Sequence, residues 1–244
     1  ELYKNDKTLE EIRDIFTKKV KSVMPIKKIL IKNGIILRKK GFLRAKNKKK
    51  IDVDYFLNID SEEKAYWLGM ITADGHITKD NYKLVLSLKD LDCVENFKKS
   101  LNCDYKVSSM KIYDKRTKKS YQRHCIQIGC KNFVKNLLKL GVSNKKSYDC
   151  SFPDIEEKYY RDYIRGLFDG DGSVCYVDSK LKISLIAIEN ILSTIQDYLI
   201  SVFNFSKTKF SIVAEKNNRK ICKLYINRAV DIKTFLCFLY ESND

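Results

Sequence analysis

No apolar run in this chain reaches the roughly 18 residues that a membrane-spanning helix needs, and no signal-peptide pattern opens it. An intracellular protein with no membrane partner is therefore expected. Histidine is nearly missing, with 2 residues. Cysteine is not, yet the 8 residues lie scattered at 93, 103, 125, 130, 150, 175, 222 and 237. The nearest pair, Cys125 and Cys130, has His124 beside it but no second ligand pair at zinc-site spacing. That pattern excludes a zinc ribbon or finger and suits reduced cysteines serving as small buried hydrophobes. Acid is the remaining deficit, 31 Asp and Glu against 48 Lys and Arg, for a net charge of +17. Such an excess favours a polyanionic partner, nucleic acid first, over a basic surface that is merely solvated. At 244 residues, 44% of them hydrophobic, the chain can fold as one large domain or two small ones.

Residues 8 to 34, TLEEIRDIFTKKVKSVMPIKKILIKNG, read as two short helices. Thr8 and Glu11 have capping-box spacing, and Leu9, Ile12, Ile15 and Phe16 form one apolar stripe. A second stripe, Ile26, Ile29 and Leu30, follows Pro25, which only a first helical turn tolerates, and Asn33-Gly34 supplies the stop. The pair is either a helix-turn-helix, with Lys27 and Lys28 on its second helix facing DNA, or an ordinary helical hairpin. LRKKGFLRAKNKKK, residues 37 to 50, is dense in basic residues and has no period. It reads as an extended basic linker in which Arg38, Lys39 and Lys40 can lie along phosphates. The expected domains are 1–36 (helix-turn-helix-like segment), 37–60 (basic linker), 61–152 and 153–244.

Beyond residue 60 the chain repeats itself. WLGMITADG at 67 to 75 is answered by IRGLFDGDG at 164 to 172, an offset that also pairs KLVLSL at 83 to 88 with KLKISL at 180 to 185. Each copy reads helix, two strands, helix, two strands, helix, so each half is expected to build a four-stranded sheet with one apolar and one polar face. In the first copy Ser61 caps a helix ending near Asp74, and Gly141 closes the last helix.

Both motifs carry small residues four apart, Gly69 and Ala73 in one, Gly166 and Gly170 in the other. On a helix these share a face, so the two motif helices can approach closely through them. Asp74 and Asp171 then emerge together at the C-terminal ends. Carboxylates there repel one another and oppose the helix dipoles. A divalent cation would relieve both problems, since Mg²⁺ takes oxygen ligands from one or two carboxylates together with phosphates. A bare Asp-Gly helix stop would explain one such motif; two at matching places in a very basic chain favour a metal, Mg²⁺ or Mn²⁺, held by both aspartates beside a phosphodiester.

WLGMITADG and IRGLFDGDG resemble the paired LAGLIDADG motifs of homing endonucleases in their single-chain, two-motif form, over residues 61 to 244. The N-terminal segment resembles the helix-turn-helix attached to some members. The resemblance implies an α+β fold of two pseudo-symmetric αββαββα units forming a DNA-binding saddle, behind a small helical segment. It also implies a monomer that makes a staggered, metal-dependent double-strand break in a long duplex DNA site, from a gene lodged in an intron, in an intein or standing alone. By the same resemblance, LGVSNKKSYDCSFPDI at 140 to 155 makes Lys146, or else Lys145, the basic residue beside a scissile phosphate, with Asp74 and Asp171 as the catalytic acids. Carried forward, FLCFLYESND aligns with LLKLGVSNKK, so no second lysine appears before Asp244 unless Lys223 or another sheet lysine substitutes. The alternative on the same fold is a nucleic-acid binder that does not cut, an RNA maturase or a transcription regulator.

Strand parity gives the DNA-facing set. With Ile77, Leu84, Leu86, Ile126 and Ile128 turned toward the helices, His76, Thr78, Lys83, Arg123 and Gln127 face outward. In the second copy Leu181, Ile183, Phe210, Ile212 and Leu224 turn inward, and Ser173, Lys180, Lys182, Lys209, Lys223 and Tyr225 face outward. Arg and Gln on such a face read base edges, and lysines hold phosphates.

Overall fold

The computed structural model describes residues 1–4, 7–16, 22–37, 49–114, 118–144, 150–177, 180–216 and 219–241. Contacts divide the chain into Glu1–Lys49 and Lys50–Asp244. The boundary thus falls at Lys49 rather than at residue 60. Residues after it belong to the larger unit: Lys50 O accepts from Asp104 N, Asp52 N donates to Leu101 O, and Phe56 packs edge-on against Phe133.

The small unit holds α1 (Leu9–Ile15) and α2 (Met24–Lys32). Thr8 and Glu11 close the capping box reciprocally, Pro25 sits in the first turn of α2, and Gly34 takes φ +70° after the last turn. Its core is Tyr3, Ile12, Ile26 and Leu30. The expected stripes are wider than the buried ones. Ile15, Phe16 and Ile29 are 51%, 46% and 60% exposed, because each short helix buries only its central residues against so small a core.

The large unit runs α3 (Glu62–Asp74), β1 (Gly75–Ile77), β2 (Lys83–Leu88), α4 (Leu91–Ser100), β3 (Val107–Asp114), β4 (Lys119–Gly129) and α5 (Lys131–Lys139). It then repeats as α6 (Tyr160–Asp171), β5 (Gly172–Val177), β6 (Lys180–Ile188), α7 (Glu189–Phe203), β7 (Ser211–Lys216), β8 (Arg219–Ile226) and α8 (Ala229–Tyr240). Both sheets are antiparallel, ordered β1-β2-β4-β3 and β5-β6-β8-β7. The αββαββα repeat and the α+β class are as the sequence implied.

The hairpins are not equal. Gly75 pairs with Leu86, but Gly172 pairs with Leu185, so the second hairpin is two residues longer and KLVLSL corresponds to KISLIA, not to KLKISL. A slip of two leaves every side chain on its face. Ile77, Leu84, Leu86, Ile126, Ile128, Ile183 and Leu224 are accordingly buried. Ile212 departs from the pattern. It pairs with the buried Cys222 but lies on the edge strand beside a register shift, and is 55% exposed. The cysteines form no disulfide; Cys125, Cys150 and Cys222 are buried, and Cys175 is exposed.

Candidate nucleic-acid interface

The two motif helices, α3 and α6, meet backbone to backbone. A Cβ on Gly69 would fall 2.1 Å from Tyr163 O and 2.8 Å from Leu167 N; on Gly166, 2.0 Å from Tyr66 O and 2.9 Å from Met70 N. These are the same contacts exchanged between halves, the signature of a pseudo-twofold axis. Further along, Gly170 lies against Ala73, where a Cβ would sit 2.4 Å from the Ala73 methyl and 3.2 Å from Asp74 Oδ2. The four small residues therefore form the interface expected of them. Asp74 and Asp171 are the last residues of their helices.

Their surroundings differ. Asp74 lies in a cleft of about 570 Å³ with Ser87, Lys89, Asp90, Arg123 and Asp169, and the Arg123 guanidinium reaches to 3.6 Å of its carboxylate. Arg123 also donates to Ser87 O at 2.9 Å, which fixes it over this helix end. Asp171 borders a cavity of about 270 Å³ lined by Thr72, Leu167, Ile186, Ile188, Ile191 and Ile221. Ile188 and Ile221 are opposed across β6 and β8, and Ile186 is opposed to Lys223. Asp74 is half-buried and Asp171 is exposed.

Any divalent cation held here would take oxygens from Asp74 and Asp171 and complete its shell with waters and phosphates. Among the described residues no three His, Cys, Asp or Glu side chains gather about one point, and the Arg123 guanidinium supplies positive charge beside Asp74.

The outward set lies where parity placed it, with two qualifications. His76, Val85 and Gln127 form one cross-strand row, and Ser173, Ser184 and Tyr225 form its counterpart. Lys83, Lys180 and Lys209 are exposed, whereas Lys182, Lys223 and Tyr225 are half-buried, with Lys223 Nζ 5.2 Å from the Tyr225 ring centre. Thr78 serves its own turn, since its hydroxyl donates to Asp80 and accepts from Lys83 N at 3.1 Å. Arg123 divides itself between the outer face and Asp74. In the small unit Lys28 is exposed and Lys27 half-buried. Lys145, Lys146, Arg38, Lys39 and Arg44 lie outside the described residues, as does Lys40. Ser87 and Lys89 reach Asp74 through the pairing of β2 with β1, and Asp169 reaches it through the packing of α6 against α3, a neighbour that parity could not single out. His124, which the sequence set next to two cysteines, bonds Ser109 Oγ at 2.8 Å through Nδ1.

Two four-stranded sheets joined through paired small-residue helices that end in aspartate define a two-motif LAGLIDADG-type protein. Residues 63–133 and 160–242 match the WhiA LAGLIDADG-like domain, and the chain belongs to that family. It is 28% identical over 200 residues to an uncharacterized protein of Methanocaldococcus jannaschii, covering 80% of this chain and 72% of that one. Full-length DUF199/WhiA from Thermatoga maritima matches at 22% identity and TM-score 0.49 over 78% of this chain, which spans 61% of that protein. The homing endonuclease I-WcaI, bound to its DNA recognition sequence, matches at 16% identity and TM-score 0.51, over 85% of this chain and 91% of that one. The likeness to homing endonucleases is thus one of fold, and the family reached is the WhiA one, a narrower result than the motifs alone implied.

Proposed function

We propose that this chain binds duplex DNA along the outer faces of its two sheets and holds it without cutting, as a regulator does. The observation that carries the reading is the match of residues 63–133 and 160–242 to the WhiA LAGLIDADG-like domain. The Arg123 guanidinium, 3.6 Å from the Asp74 carboxylate, also puts a protein cation where cleavage would call for a metal ion. The net charge of +17 and the outward Lys, Arg and Gln support DNA as the partner. The test is incubation of purified protein with a randomised duplex library and Mg²⁺, followed by sequencing of both retained and cut DNA. Selective retention with intact ends is expected.

A second reading keeps a specific observation in its favour: aspartate closes both motif helices. On that reading the chain is a monomeric homing endonuclease with Asp74 and Asp171 sharing Mg²⁺ or Mn²⁺ and Lys146 near the scissile phosphate. Staggered double-strand ends that vanish in Asp74→Asn and Asp171→Asn, and that Ca²⁺ does not support, would establish it and overturn the first.

A further inference from the structure

Each sheet continues as a two-stranded ribbon where β2 or β6 stops, and the two ribbons differ in length. Along β4 the last rung to β2 joins Leu88 to His124, and β3 and β4 go on alone for five more pairs, from Met110 with Arg123 to Asp114 with Lys119. Along β8 the last rung to β6 joins Ile188 to Ile221, and only Glu215 with Lys220 and Lys216 with Arg219 follow. At about 3.4 Å per residue the first ribbon runs roughly 17 Å past β2, and the second roughly 7 Å past β6.

The first ribbon meets water on both faces. Lys111, Tyr113 and Gln122 share the face that the sheet turns inward, and all three are exposed. Met110, Ile112 and Tyr121 share the other face, which continues the sheet's outward one through Arg123. Tyr113 is 59% exposed and Met110 47%. A strand pair with apolar side chains on both faces and no third strand is marginal in water. A partner that touches both faces at once would stabilise it. Asp114 is the single acid of the two strands, against Lys111, Lys119 and Arg123, and the neighbouring Lys118 is exposed.

We propose that the β3-β4 ribbon enters the major groove of the bound duplex, a contact that the first half alone makes. The inference rests on the proposed function, duplex DNA on the outer faces of the sheets. A DNA lying flat on those faces would leave Lys111, Tyr113 and Gln122 turned away from it. The major groove, about 12 Å wide and about 8.5 Å deep, admits a two-stranded ribbon and presents chemistry to each face of it. Phosphates on its walls suit Lys111, Lys118 and Lys119, base edges suit Gln122, and thymine methyls suit Ile112 and Met110. The second ribbon, at roughly 7 Å, falls short of the groove floor. Duplex RNA is excluded as the occupant by the narrowness of its major groove.

The test uses a duplex that the full chain retains from the randomised library, with guanines and adenines in both flanks, and a shortened chain in which Asn-Gly replaces residues 112–121. That turn closes the pair of Lys111 with Gln122 and leaves every rung to β2 in place. The shortened chain is expected to lose hydroxyl-radical protection on one flank alone and to bind at least about tenfold more weakly. Guanine N7 methylation in that flank should block the full chain and spare the shortened one. Lys111→Glu and Tyr113→Ser should each weaken binding about fivefold without moving the melting temperature, which separates a lost contact from a lost fold. Equal footprint and affinity in the shortened chain overturns the proposal and leaves the DNA reading standing. So does interference from adenine N3 methylation in that flank, which belongs to the minor groove, or duplex RNA that competes as well as DNA. Failure of the full chain to retain any duplex overturns the DNA reading and this proposal together.

Discussion

The Arg123 guanidinium lies 3.6 Å from the Asp74 carboxylate, and on the proposed function it also meets DNA phosphate. On the non-cutting reading, Arg123→Gln weakens binding by about 1 to 3 kcal/mol and lowers the salt slope by about one unit. Asp74→Asn removes a negative charge facing the duplex and leaves binding equal or tighter. Fluorescence anisotropy on a retained sequence checks both, and a large loss in Asp74→Asn would count against the reading. Asp162 makes a separate prediction. Its side chain is 1% exposed, with Arg165 at 3.1 Å and Arg161 at 3.5 Å, in ion pairs without hydrogen-bond geometry. Burial raises its carboxyl above the ordinary value in spite of both guanidinium groups. The folded state therefore holds the proton more tightly than the unfolded state, and this residue's contribution to stability falls as pH rises from the unfolded value, about 3.9, through the raised folded one. Urea midpoints followed upward from about pH 3.9 should lose that part of their slope in Asp162→Asn.

The elements follow from short-range chemistry, and their contacts do not. Ser61 caps α3 through Lys64 N at 3.3 Å, Asn33-Gly34 and Gly141 end their helices, and alternation set the faces of β2 and β4 before any packing was known. What the motif helices require of their glycines is space, because the nearest atoms are backbone of the opposite helix. Gly69→Ala and Gly166→Ala should each destabilise the large unit by about 3 kcal/mol or more, the upper end of overpacking costs. Gly34→Ala, at φ +70° with nothing within 4 Å of a Cβ, should cost about 1 kcal/mol, from backbone strain alone. Thermal melts of the three variants separate the two mechanisms. The difference in hairpin length is invisible to hydrophobic periodicity. Leu84, Leu86 and Leu88 in β2 and Leu181, Ile183 and Leu185 in β6 stand at every second position, so a slip of two fits the hydrophobic pattern equally well, and only the pairing of Gly75 with Leu86 and Gly172 with Leu185 distinguishes the registers.

For the whole molecule, electrostatics and the internal repeat act together. With +17 net charge, binding made of about six or more phosphate contacts should weaken by about a thousandfold between 50 and 200 mM salt, with log affinity linear in log salt. A flat profile would remove DNA as the principal partner. The sequence by itself determined the doubled unit, the α+β class, the inward and outward faces of the sheets, the small-residue seam between α3 and α6 and the place of both aspartates. All of these depend on residue type at fixed spacing along one helix or strand, or on a repeat that can be read by inspection. The tertiary structure alone decided what lies near each aspartate, Arg123 beside Asp74, and Ile186, Ile188 and Ile221 in the cavity that Asp171 borders. Those neighbours arrive from strands many residues away, and their identities differ between halves that share one backbone plan.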